Sequence, residues 1–146
     1  MKQRDLYDLA RFLIAQDSYN NGYGTALQEM KNGGKRSHWI WYIFPQFKEF
    51  AHSQIAEYYG IEDKGEAETY LQHPILGLRI REISEVLLQH GGKDVKDIFG
   101  DLDAGKVRSC MTMFDYLSPN DVFGQVLDTF YGGKRGGRTL KVLNSV

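Results

Sequence analysis

Apolar residues recur along this chain mostly at helical spacing, and paired glycines interrupt the pattern. Leu6, Leu9, Phe12 and Leu13 make a first helical stripe. Thr25 to Met30 reads as a second helix, stopped by Gly33. Asp63, with Glu66 three residues on, has the form of an N-cap with a capping box, opening a helix to about Gln72. Pro74 suits the start of the next helix, where a missing N–H costs nothing. In that helix Leu76, Ile80, Ile83 and Leu87 share a face, Arg81 and Glu85 are spaced to pair outside it, and Gly91 ends it. Asp103 is expected to cap a helix burying Val107, Cys110, Met111, Phe114 and Leu117. Asn120 is expected to cap another that buries Phe123, Val126, Leu127 and Phe130, with Gly132 at its end. No alternating segment competes, and Ile40 to Phe44 stays unassigned between helix and strand. The pattern predicts an all-α fold: one compact domain over residues 1–146, an orthogonal array of about seven to nine short helices.

Composition narrows the class. With 42% apolar and 25% charged residues in 146, the chain can build one real core. A net charge of −1 gives no reason to expect a membrane surface or nucleic acid as partner. Cys110 is the single cysteine, so no internal disulfide forms, and its place on an apolar helix face favours a buried, inert thiol. Residues Met1 to Asp5 lack the apolar stretch of a secretory leader. The longest apolar run, Trp39 to Pro45, falls far short of the ~20 residues a membrane span needs. A cytoplasmic protein is the expectation.

The charges are unevenly placed. Met30 to Lys48 carries Lys31, Lys35, Arg36 and Lys48 without an acid, and Thr129 onward carries Lys134, Arg135, Arg138 and Lys141 without one. If these segments meet, they make a local anion site. The stretch from Lys35 to Gln46 sets two cations, Ser37 and His38 before Trp39, Trp41, Tyr42 and Phe44. Cations bind phosphate and aromatic faces stack on bases, while the same aromatics also serve as core. Gly132 to Thr139 approaches a P-loop in spacing, but a helix precedes it where that motif needs a strand. What survives is an anion nest of glycine N–H groups before a short helix, or a plain flexible connection. Asp103, Lys106, Arg108, Ser109 and Thr112 form a polar cluster, with Ser109 and Thr112 on one face. His38, His52, His73 and His90 lack metal-ligand spacing, so no metal and no cofactor is expected.

Several motifs, in order, resemble a largely bacterial family catalogued as domain of unknown function 1810. They run from Lys35-Arg36-Ser37-His38-Trp39 with Phe44-Pro45-Gln46, through Tyr59-Gly60-Ile61 and His73-Pro74-Ile75-Leu76-Gly77 with Arg79. Ile98-Phe99-Gly100, Asp103 with Lys106, Arg108-Ser109, Thr112-Met113-Phe114 and Arg138-Thr139-Leu140 continue the match over nearly the whole chain. The resemblance implies a compact helical fold and no settled activity. It also implies serine where Cys110 stands and an acid where Gly136 or Gly137 stands. The ending is similar to the tail of a helical glycosidase group acting on ADP-ribose-type N-glycosides. That group has a glutamate where this chain has Ser37-His38.

Two functions follow as expectations. One is binding, with hydrolysis as an extension, of a phosphorylated nucleotide-derived small molecule. Its pocket would draw on Lys35, Arg36, His38, Trp39, His73, Arg79, Lys106, Arg108 and Arg138, centred on Arg36, His38, Trp39, His73 and Arg79. Glu29, Glu66, Glu82 and Asp103 are unranked carboxylates for activating water. The other is a non-catalytic interaction or regulatory module with an exposed apolar patch. Ligand identity and oligomeric state stay open.

Overall fold

A computed structural model of the chain describes residues 6–145. Met1 to Asp5, which enter the leader expectation, and Val146 lie outside the described residues. The described residues form ten α-helices: α1 Ala10–Gln16, α2 Tyr23–Lys31, α3 Ile40–Ile43, α4 Gln54–Tyr59, α5 Lys64–Gln72, α6 Leu76–Leu88, α7 Val95–Phe99, α8 Asp101–Leu117, α9 Val122–Tyr131 and α10 Gly137–Asn144. A 3-10 turn, Lys48–Phe50, precedes α4. No strand occurs among the described residues; one isolated parallel bridge joins Phe47 to Ile61. None of these helices is long and apolar enough to cross a membrane. The all-α class is as expected. The helix count exceeds the expected number because α3, α4 and α7 are too short to show a full period.

Helix α8 runs through the centre, packed by α5, α7, α9 and α10, while α6 links α9, α5 and α2. The stripes read from sequence form this core: Leu76, Ile80, Ile83 and Leu87 of α6, Val107, Cys110, Met111 and Phe114 of α8, and Phe123, Val126 and Leu127 of α9 are all buried. Leu117 and Phe130 are half-buried. The first stripe is corrected at one end. Leu6 is 74% exposed because it precedes the start of α1.

An aromatic chain joins the helices. Phe12 meets Tyr70 edge-on at 5.0 Å, Tyr70 stacks on Phe114 at 5.5 Å, and Phe114 touches Phe123 at 5.4 Å. Each such pair adds about 0.5–1.5 kcal/mol beyond the area it buries.

Caps differ from expectation by short steps. Asp63 accepts from Glu66 N–H as predicted, but the Glu66 carboxylate reaches Glu62 N–H, one residue before the position a capping box requires. Gly100, at φ 83°, is the N-cap of α8, so Asp103 lies within the first turn and is free to pair with cations. Asp121, not Asn120, caps α9; Asn120 takes a left-handed turn at φ 64°. Arg81 does not pair with Glu85. It bonds the Asp121 carboxylate at 3.0 Å, tying α6 to the start of α9.

The buried ion pair is Arg11 with Glu66, at 2.8 Å. Arg11 also donates to the carbonyls of Tyr58 (2.8 Å), Gly60 (2.9 Å), Tyr7 (2.7 Å) and Asp8 (2.9 Å). One guanidinium thus ties the chain before α1, the end of α4 and the start of α5. Removing one member of a buried pair leaves the other charge stranded. Glu66→Ala is therefore expected to lose about 3 kcal/mol of unfolding free energy in urea. A loss under about 1 kcal/mol, the range of exposed pairs, would contradict this.

Candidate functional site

The basic aromatic segment is shaped by one carboxylate. Glu29, on α2, accepts from Arg36 N–H (2.7 Å), Ser37 N–H (2.9 Å), the Ser37 hydroxyl (2.6 Å) and Trp39 Nε1–H (2.9 Å). Gly33, at φ 89°, lets the chain turn back toward α2. Trp39 is fully buried, and its Nε1–H needs the partner that Glu29 supplies. With Trp39 sunk in the core, Trp41 emerges half-buried on α3. Lys35 reaches Asp103 at 2.9 Å, and the other Asp103 oxygen holds Lys106 at 3.1 Å.

A second anchor sets the C-terminal segment. Gly132 and Gly133 have φ of 59° and 76°, so the chain reverses tightly after α9. The Arg135 guanidinium bonds Asp115 at 3.2 Å and Gly133 O at 2.8 Å, and lies 3.6 Å from Asp128. Gly136 N–H then donates to the Thr112 hydroxyl at 2.9 Å, which in turn donates to Arg108 O at 2.8 Å. Gly136 is the N-cap of α10 and brings no side chain to cap it. The first helical bond is donated by Leu140 to Gly136 O, so the N–H groups of Gly137, Arg138 and Thr139 lie ahead of the ladder.

Between α3, α8 and α10 lies a cavity of about 670 Å³. Trp41, Phe50 and Leu102 supply apolar wall. Lys106, Arg108, Ser109, Arg138, Thr139 and His52 supply polar wall, and among the described residues no aspartate or glutamate lines it. Arg138 lies over the Phe50 ring at 4.7 Å, and Lys106 lies 6.0 Å from the Trp41 ring centroid. Arg138 is exposed and Arg108 half-buried, and neither forms an ion pair among the described residues.

The nine cations, histidines and tryptophan singled out from sequence therefore separate. Lys106, Arg108 and Arg138 line the cavity, and Lys35 stands behind it through Asp103. The pocket expected around Arg36, His38, Trp39, His73 and Arg79 does not assemble, and none of these five lines the cavity. Arg36 and His38 are exposed, and Trp39 is core. His73 caps α6, its Nδ1 accepting from Ile75 N–H (3.1 Å) and Leu76 N–H (3.2 Å). Arg79 is held by Asp17 at 2.9 Å and Gln16 at 3.2 Å, over the Tyr23 ring. The two basic segments do approach each other. The first contributes Trp41 and Gln46 to the cavity rather than a cation. In the sequence Trp41 belongs to the basic aromatic segment but not to the expected pocket, and Phe50 and His52 were not expected as walls. The signal available was their closeness in the chain to the basic aromatic segment.

The candidate carboxylates are all engaged elsewhere. Glu66 pairs with Arg11, Asp103 with two lysines, and Glu82 accepts from the Tyr23 hydroxyl. Burial and then this bond push the Tyr23 pKa upward. Cys110 is buried, which raises its thiol pKa well above the ordinary value and agrees with an inert role. No group of three potential metal ligands occurs among the described residues.

Burial would raise the Glu29 pKa, but the hydrogen bonds from Ser37, Arg36 and Trp39 outweigh it and lower it to about 2. A depressed folded-state pKa means stability that is complete above the unfolded value of 4.5 and lost as pH falls toward about 2. Glu29→Gln is therefore expected to be less stable than wild type at pH 7, with the difference shrinking below pH 4.5. Urea unfolding at pH 7, 5, 4 and 3 measures it. A difference constant across that range would remove the electrostatic account of this anchor.

The conserved hypothetical protein Rv1873 from Mycobacterium tuberculosis has a crystal structure similar to this one, with TM-score 0.90 and 38% sequence identity. The match covers 97% of this chain and 99% of that one. No curated protein matches. The family model described as protein of unknown function (DUF1810) matches residues 6–143. The chain belongs to this family.

Proposed function

We propose that the cavity between α3, α8 and α10 binds a small phosphorylated, nucleotide-derived molecule, a class that includes ADP-ribose. The observation that carries this reading is the charge of the wall. Lys106, Arg108 and Arg138 face one cavity, and among the described residues two of them have no counter-ion and no carboxylate lines it. Arg138 is exposed, so the desolvation cost falls on half-buried Arg108, and an anionic ligand offsets it. The half-buried Trp41 ring offers an apolar face for a planar base or a sugar, while Phe50, under the Arg138 guanidinium, supplies wall. The volume of about 670 Å³ falls within the range of small-molecule sites.

The same wall argues for binding over hydrolysis. Cleaving an N-glycoside needs a carboxylate beside the departing bond to activate water or to stabilise developing positive charge. Glu29, Glu66, Glu82 and Asp103 do not line the cavity.

Thermal melting with ADP-ribose, AMP and inorganic phosphate tests the reading. A ligand at about 100 times its Kd adds about 2.7 kcal/mol, raising the melting temperature by several degrees. Arg108→Ala and Arg138→Ala are each expected to weaken binding by roughly tenfold. Arg36→Ala is expected to leave it unchanged. The absence of any shift would overturn the proposal and favour an interaction module.

A further inference from the structure

We infer that the N-terminus of α10 is the phosphoryl end of this cavity, selecting a terminal phosphate monoester whose planar remainder lies toward Trp41. The inference rests on the reading of the cavity as a phosphorylated-ligand site and says which atoms do the recognition.

The start of α10 leaves backbone donors unsatisfied. Gly137, Arg138 and Thr139 present N–H groups that precede the first helical bond of the eight-residue α10. Their N-cap, Gly136, has no side chain to satisfy them, and its own N–H is taken by Thr112. A helix start of this kind carries partial positive charge, about half an elementary unit.

A second observation is independent of the helix end. Thr139 is only 1% exposed and lines the cavity, yet its hydroxyl makes no hydrogen bond among the described residues. The hydroxyl oxygen is not sealed in the core: the buried side-chain atom without a partner among the described residues is His90 Nε2, so Thr139 Oγ1 keeps an accessible side. Here it stands beside Gly136, its oxygen 3.5 Å from where a Cβ on that residue would lie. Its open side is the cavity, so the partner it lacks is one that the cavity would supply.

A third element fixes the charge. Thr112 ties Arg108 O and Gly136 N–H together, so the Arg108 guanidinium extends from backbone two hydrogen bonds away from the α10 N-cap. Arg138 belongs to the first turn of α10 itself.

Every one of these groups can donate, the Thr139 hydroxyl alone also accepting, and among the described residues the cavity wall holds no carboxylate to oppose an anion. The matching ligand group has acceptors alone. A phosphate monoester presents three non-bridging oxygens and close to two negative charges. A phosphate inside a diphosphate bridge, as in ADP-ribose, presents two oxygens and one charge. The donor set favours the terminal group.

Gly137→Pro isolates one donor. Proline is well tolerated at the first helical position, where it deletes only an N–H outside the ladder. Gly136 has φ −70° and ψ 115°, the extended conformation that a residue before proline prefers. Nothing lies within 4 Å of a Cβ built on Gly137. Thr139→Val removes the hydroxyl at nearly constant shape.

Calorimetric titration with AMP, ADP-ribose and adenosine reads the result. The expected outcome has wild type binding AMP most tightly. Gly137→Pro and Thr139→Val should each weaken AMP by about tenfold. Gly137→Pro should leave adenosine unaffected and the melting temperature of the unliganded protein unchanged or higher. AMP affinity that survives both variants but is lost in Arg108→Ala would overturn the α10 assignment and leave the cavity reading standing. ADP-ribose binding as tightly as AMP, with equal sensitivity to Gly137→Pro, would overturn the monoester selection. Failure of wild type to bind any phosphorylated probe would overturn both.

Discussion

A carboxylate has room for about four hydrogen bonds, and Glu29 commits all of that capacity to one stretch of chain. The geometry of the cavity follows from this. Two backbone N–H groups, a hydroxyl and an indole converge on Glu29, which fixes the depth at which the chain enters α3. Trp39 must then sink and Trp41 must surface. The phase of a helix only four residues long could not be set by its own hydrogen bonds. An external anchor sets it, and with it the apolar wall of the cavity.

Charge is distributed by the same economy of partners. Arg11, Lys35, Arg79, Arg81 and Arg135 each have a carboxylate within reach. These pairs join elements that are remote in sequence: α1 to α5, α6 to α1 and α9, and the glycine-rich loop to α8. Arg108 and Arg138 take no part in this pairing. Their freedom comes from the sequence as much as from topology, because α10 carries no acid and the α8 acids Asp101, Asp103 and Asp115 do not line the cavity. What distinguishes the cavity is thus an omission of counter-charge along with an abundance of cations.

Much of the fold was legible because helical period and glycine breaks are local signals. The faces of α6, α8 and α9 follow directly from residues such as Leu76, Val107 and Phe123. The caps were less so: Asp103 and Asn120 are plausible N-caps in isolation, yet Gly100 and Asp121 hold those positions. Which of several adjacent capping residues is used depends on how the preceding loop is threaded. The candidate site divides along the same line. Lys106, Arg108 and Arg138 were legible as cations near helix starts. Trp39 and His73 were misleading, because an indole N–H bound by a buried carboxylate and an imidazole capping a helix look, in sequence, like ligand-binding groups. Trp41 and Phe50 carried only their nearness to the basic aromatic segment, since nothing local separates a cavity wall from core.

The clamp that Arg135 makes on the loop before α10 has a thermodynamic consequence. Gly132, Gly133 and Gly136 would be among the most mobile positions of any chain, and immobilising them on ligand capture would consume a large part of the association energy. Arg135, held by Asp115 and by Gly133 O, completes that ordering when the protein folds. A molecule binding in the cavity as proposed would meet a surface already in its final arrangement. Its affinity would be diminished less by lost chain entropy than glycine content alone would suggest, and the cost would appear instead as a lower stability of the empty fold.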